Sequence, residues 1–187
     1  MVDIVFDGHI TGSGLRVAGA PINSLKVDSS GNVTNPSSVS SSLYLSTTAS
    51  LVTGDSTSYP VVMGTYVSGG NVGSAYNLTT GVFTAPVAGV YNFDFSLYLE
   101  GIIELIHTLY LYMTIDGFQI DILSHGFPSG ITFGGSQFSV PGSVTRYMDA
   151  STTAQLFVDV IGGSKTVSVL NNDGTNIKTW FTARLLG

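Results

Sequence analysis

Charge is what this chain has least of. Asp, Glu, Lys and Arg together supply only 10% of its 187 residues, against about 25% in an ordinary soluble domain. Glutamate occurs only at Glu100 and Glu104, which excludes a coiled coil, whose flanking positions need Glu and Lys. The 43% of hydrophobic residues excludes a chain kept disordered by low hydrophobicity and high net charge. Six basic residues stand against twelve acidic ones, a formal net charge of −6. The electrostatic footprint of a nucleic-acid binder is therefore missing, and no nucleic-acid partner is expected. Without cysteine there is no disulfide framework, no thiolate nucleophile and no Cys-based zinc site. Long apolar runs are lacking too. The most apolar segment, Phe93 to Ile115, is cut by Asp94, Glu100, Glu104 and His107, so no membrane-spanning helix is expected. Residues Met1 to Asp7 do not place a long apolar run after a basic stretch, and no secretory signal is expected there.

What the chain does have is β-forming sequence. From about Leu43 onward, runs of four to eight residues rich in Val, Ile, Tyr, Phe and Thr alternate with Gly, Asn, Asp and Pro clusters, the pattern of an all-β domain. In Val90–Leu99, Tyr91, Phe93, Phe95, Leu97 and Leu99 fall on one face, and Asn92, Asp94, Ser96 and Tyr98 on the other. A period of two marks a half-buried strand. Leu109, Leu111, Met113 and Ile115 alternate with Tyr110, Tyr112, Thr114 and Asp116 in the same way, and Asp116-Gly117 predicts a tight hairpin into Phe118–Leu123. Further strands are predicted over Gln155–Ile161, Thr166–Leu170 and Thr179–Leu186. Tyr98, Tyr110 and Tyr112 all stand on polar faces. Tyrosines there need no partner on a β-sheet, and a subunit interface would use them equally well.

The length suits one domain with a short appendage. The Ser/Pro stretch Asn35–Ser42 reads as a linker, dividing a tether or stalk segment, residues 1–41, from a domain over 42–187. The first segment carries short apolar pieces among many glycines and no adequate core, so it needs a partner or copies of itself for order. Leu25–Thr34 reads as strand, turn, strand, and is similar to the shaft elements of viral and phage fibres.

The most specific string is Tyr76–Tyr91, YNLTTGVFTAPVAGVY. Thr79-Thr80-Gly81 is turn chemistry, Phe83 begins a strand, Pro86 ends it where no ladder donor is needed, and Ala88-Gly89 turns the chain into the next strand. Gly81, Phe83, Pro86, Gly89 and Tyr91 together resemble the signature of the globular head domain of complement component 1q, within the tumour-necrosis-factor-like jelly rolls. Met113–Gly117 resembles that family's hairpin, Asp149–Val160 its late strand and Trp180–Leu186 its closing strand, so the likeness covers about Ser42 to Gly187. Ala183 stands where the closing motif usually has glycine, and no collagen-like Gly-x-y repeat is present. The resemblance implies a two-sheet antiparallel jelly-roll sandwich that assembles as a homotrimer with apolar and aromatic residues along its three-fold axis. Tyr98, Tyr110 and Tyr112 are the candidate interface contacts. Few charges are available for a fully exposed surface, which agrees with burial between subunits.

Chemistry is sparse. No nucleophile elbow, Walker loop, dinucleotide fingerprint or His-Glu-x-x-His occurs. Glu100 and Glu104 would lie about 13 Å apart on one extended strand, too far for a paired-carboxylate glycosidase. Glu104 with His107 obeys no ligand spacing rule, and Asp116, Asp121, Asp149 and Asp173 form no sequence-local calcium cluster. The triplets beginning at Asn32 and Asn77 match the glycosylation acceptor, a match frequent by chance. The expectation is a non-enzymatic trimeric structural or binding module without catalytic, metal or cofactor residues, displayed on a virus or other particle surface and mediating protein or host-surface interaction. The alternative is a soluble lectin-like module recognising glycans through loops such as Phe127–Phe138.

Overall fold

The computed structural model describes residues 26–27, 33–34, 39–102, 108–126, 137–171 and 175–186. The chain divides into two units, Met1–Ser38 and Val39–Gly187. In the first, strands β1 (Lys26–Val27) and β2 (Val33–Thr34) pair antiparallel, with Lys26 opposite Thr34; they fall within the two predicted strands, and the predicted turn between them lies outside the described residues.

The second unit is a two-sheet antiparallel sandwich with no helix among the described residues. Its strands are β3 (Ser40–Tyr44), β4 (Ala49–Thr53), β5 (Tyr59–Pro60), β6 (Thr65–Val72), β7 (Val82–Thr84), β8 (Gly89–Glu100), β9 (Thr108–Ile115), β10 (Phe118–Gly126), β11 (Gln137–Met148), β12 (Thr153–Ile161), β13 (Val167–Leu170) and β14 (Trp180–Leu185). In one sheet, β9 lies between β10 and β12, and the far edge of β12 pairs with β7 and then β5. In the other, β8 pairs with β11 along its whole length on one side. On its other side it meets β14 and then β13, which continue into β3–β6 and β4. Successive strands from β7 to β13 mostly change sheet, and the hairpin β9–β10 is the exception. The result is a jelly roll.

The period-two pattern decides which side chains meet between the sheets. Tyr91, Phe93, Phe95, Leu97 and Leu99 of β8 are fully buried, as are Phe83, Met113, Val158, Val160, Val167 and Val169. They form one continuous core with Leu109, Leu111, Leu156 and Phe181. Asp116 (φ 52°) and Gly117 (φ 79°) close the β9–β10 hairpin, the left-handed pair that matches strand twist. Thr53 stitches β4 to β12: its hydroxyl donates to the Thr57 carbonyl at 2.6 Å and accepts from the Val160 amide at 2.9 Å.

Two sequence expectations change. The linker read through Ser42 and the boundary at 41/42 give way to a sandwich that begins at Val39, because Ser40–Tyr44 is a strand. Val39 and Ser41 are buried, and the Leu185 amide donates to the Val39 carbonyl at 3.0 Å. Strand β11 is not among the predicted strands, and it contains Pro141-Gly142, a pair more often found in turns. On a sheet edge, proline forfeits no ladder bond, and a Gly142 side chain would meet Phe95.

Candidate functional site

The signature string builds a corner. The Asn77 amide donates to the Val82 carbonyl and the Gly81 amide to the Asn77 carbonyl, both at 2.9 Å, while Asn77 Oδ1 accepts from the amides of Thr79 and Thr80. Gly81 has φ 75°, and a Cβ there would lie 2.8 Å from the Val61 carbonyl oxygen, so turn geometry and close approach both demand glycine. Phe83 packs edge-on against Tyr91 and Phe93, at 5.4 and 5.3 Å between ring centres. Pro86 is exposed beyond the end of β7, and Gly89 opens β8 opposite Met148. The Tyr91 hydroxyl donates 2.8 Å back to the Val87 carbonyl, a tyrosine corner that pins the turn to the strand after it. Four of the five signature residues, Gly81, Phe83, Gly89 and Tyr91, are buried. They hold the fold and offer nothing to a ligand.

The three candidate interface tyrosines do not share a surface. Tyr98 points outward from β8, whereas Tyr110 and Tyr112 point outward from β9, on the opposite side of the sandwich. Alternation says which side chains leave the core but not from which sheet, so the sequence could not separate them.

On the outer face of the β8 sheet, a polar band crosses three strands. Arg184 Nη2 lies 3.4 Å from Asp94 Oδ2, and Arg184 Nε donates to Asn92 Oδ1 at 3.2 Å. The Ser143 hydroxyl donates to Asp94 Oδ1 at 2.6 Å, and Asn92 Nδ2 donates to Ser143 and Thr145. Asp94, Pro141, Ser143, Trp180 and Thr182 line a shallow depression of about 600 Å³. Nearby, the Tyr98 hydroxyl bonds Gln137 Oε1 at 2.7 Å, Gln137 Nε2 donates to Glu100, and the Lys178 ammonium stands 5.8 Å from the Tyr98 ring centre. At the adjoining β10–β11 edge, Phe118 is 75% and Tyr147 63% exposed. Both border a second hollow of about 380 Å³ with Arg146.

The outer face of the β9 sheet differs in chemistry. Asp121, Tyr112, Phe157 and Pro60 form one row across β10, β9, β12 and β5. In the flanking rows Thr114 faces Gln155, and Tyr110 faces Asp159. The Tyr112 and Phe157 rings stack at 5.2 Å with 7° between planes, and the Tyr112 hydroxyl bonds that of Ser58 just before β5. The Tyr112 ring therefore reaches from β9 across β12 and lies on Phe157.

Burial and neighbouring charge perturb a few groups. Burial pushes the Tyr76 phenol up to about 12, and its oxygen accepts from the Met63 amide at 2.9 Å. Burial, and then the Asp55 carboxylate, hold the Asp159 carboxyl above its usual range, and the covered Asp159 Oδ1 accepts no hydrogen bond within the protein. Asp55 is held below that range by its hydrogen bonds with Thr57. Glu104 and His107 lie outside the described residues, as do the His125 side chain and 127–136 of the proposed glycan loop. Among the described residues, no three His, Asp or Glu side chains stand close enough to hold a metal ion, and no helix is long and apolar enough to cross a membrane.

No protein-family model and no curated protein sequence matches the chain. Solved structures do. The TNF protein Eiger from S. frugiperda superposes with a TM-score of 0.54 at 16% identity, covering 80% of this chain and 93% of that one. Murine APRIL at pH 8.5 gives 0.51 at 9% identity, and at pH 5.0 gives 0.52 at 10%, each covering 80% of this chain and 99% of that one. The fold is a TNF-like jelly roll. At such identities the likeness concerns the fold.

Proposed function

We propose that this chain is a non-enzymatic homotrimeric module, akin to the complement component 1q head, that is carried on a virus or other particle surface and binds a partner there. The observation that carries the reading is the pair of unlike aromatic surfaces around the β8 sheet: protruding Phe118 and Tyr147 at the β10–β11 edge, and the depression beside Trp180 and Pro141 on its face. Two different patches on one subunit favour a heterologous contact, which closes into a ring where its rotation is a whole fraction of a turn. The TNF-like fold and the signature at Gly81–Tyr91 favour three subunits. Tyr98 belongs to this face and is the interface candidate it offers; Tyr110 and Tyr112 stand on the opposite face. The fibre-like pair β1–β2 supports attachment through residues ahead of Val39.

Light scattering on the eluting full-length chain tests assembly. The expected mass is three times the 19.6 kDa of one chain, and Tyr147→Asp should lower it; one chain mass at micromolar concentration refutes the trimer. Mass spectrometry of purified particles tests display. A glycan-binding reading is favoured by a different surface, the aromatic row of the β9 sheet.

A further inference from the structure

We propose that the outer face of the β9 sheet binds a neutral pyranose glycan, with Tyr112 as the stacking platform and Asp121, Gln155 and Asp159 around it as hydroxyl partners. This deepens the reading of the chain as a binding module and does not depend on its oligomeric state.

Two observations choose the ligand class. The first is shape. Tyr112 and Phe157 are half-buried, parallel and tied across three strands by the bond to Ser58, which makes a flat, preorganised surface. Protein partners are anchored by aromatics that project and become fully desolvated, and of the aromatics on this sheet Phe118 is the one that projects, at the end of β10. The C–H face of a sugar ring instead needs a flat π surface with polar groups at its rim. The second is charge. Strands β5, β7, β9, β10 and β12 contain no lysine or arginine, and their carboxylates Asp121 and Asp159 face outward. Sialylated, sulfated or phosphorylated ligands meet repulsion there, whereas a neutral glycan offers hydroxyl donors to carboxylates and amides.

The test is an array of neutral, sialylated and sulfated oligosaccharides, with glycoproteins before and after enzymatic deglycosylation, probed with the full-length chain. The strongest neutral oligosaccharide is then titrated. Neutral glycans should bind. Tyr112→Ala should weaken binding about tenfold, the scale of one aromatic contact, while Tyr112→Phe retains most of it. Asp121→Ala, at an exposed position on β10, gives a second reading should Tyr112→Ala fold poorly, and should weaken binding several-fold. The single tryptophan, Trp180, lies on the opposite sheet, so its fluorescence should not change on saturation. The proposal is overturned by preference for charged glycans, by no neutral binding at millimolar ligand, or by binding that survives deglycosylation. It is also overturned by unchanged affinity in folded Tyr112→Ala, or by a Trp180 response. A monomeric mass would refute the trimer and leave these outcomes interpretable.

Discussion

Gly142 offers a test in which local propensity and tertiary packing predict opposite signs. A glycine inside a strand is about 0.5–1 kcal/mol less favourable than alanine, so propensity alone makes Gly142→Ala stabilising. In the folded protein, however, a Cβ at Gly142 would lie 2.4 Å from both Cε2 and Cζ of Phe95 and 3.1 Å from Cγ2 of Ile122. Phe95 is fully buried in the centre of the core, so its ring can yield only by displacing close-packed neighbours. One surplus methyl in such a place costs about 1–3 kcal/mol, which leaves a net destabilisation of up to about 2.5 kcal/mol. Phe95→Leu frees the space the methyl needs. The double variant should therefore be more stable than the sum of the single changes predicts, by about 1 kcal/mol. Urea unfolding at one fixed protein concentration reads both quantities, since a shifted midpoint with constant slope reports stability. A stabilised Gly142→Ala, or a double variant additive within about 0.5 kcal/mol, would refute the packing argument.

Three further outcomes follow from the geometry. Tyr91→Phe should lose about 0.5–1.5 kcal/mol in the same assay, the worth of one hydrogen bond to the Val87 carbonyl, with the assembled mass unchanged; an unaltered midpoint would show that the corner bond contributes nothing. The Asp159 carboxyl is held above its ordinary value of 3.8 by burial and by Asp55, so the folded chain binds this proton more tightly than the unfolded one. Stability therefore falls as pH rises from about the ordinary value through the folded one. Asp159→Asn should then raise the melting temperature at pH 7 and not at pH 3, and an equal shift at both would count against the titration. A chain of residues 39–187 should melt as the full chain does, whereas 42–187, without buried Val39 and Ser41, should melt lower; equal melting of all three would move the domain boundary back to Ser42.

Much of the sandwich was legible because a strand with one buried face must alternate, and β8 and β9 alternate without interruption. The hairpin at Asp116-Gly117 was equally legible, since few residues adopt left-handed conformations in succession. Pro141-Gly142 was not. Its turn-like composition conceals the fact that this strand lies on a sheet edge, where proline gives up no bond, and crosses an aromatic ring that only glycine accommodates. The stretch Val39–Ser42 was misleading for a related reason: serine-rich sequence reads as linker until Leu43 and Val39 are seen to anchor it against β14.

By itself the sequence determined the all-β class, the corner from Gly81 to Tyr91, and the outward placement of Tyr98, Tyr110 and Tyr112, because turn chemistry and a period of two are local properties of the chain. Which strands become neighbours is a long-range matter. Only the tertiary structure put Tyr98 on one outer face and Tyr110 and Tyr112 on the other, stacked Tyr112 on Phe157 from 45 residues further along the chain, and built that face from strands that contain no lysine or arginine.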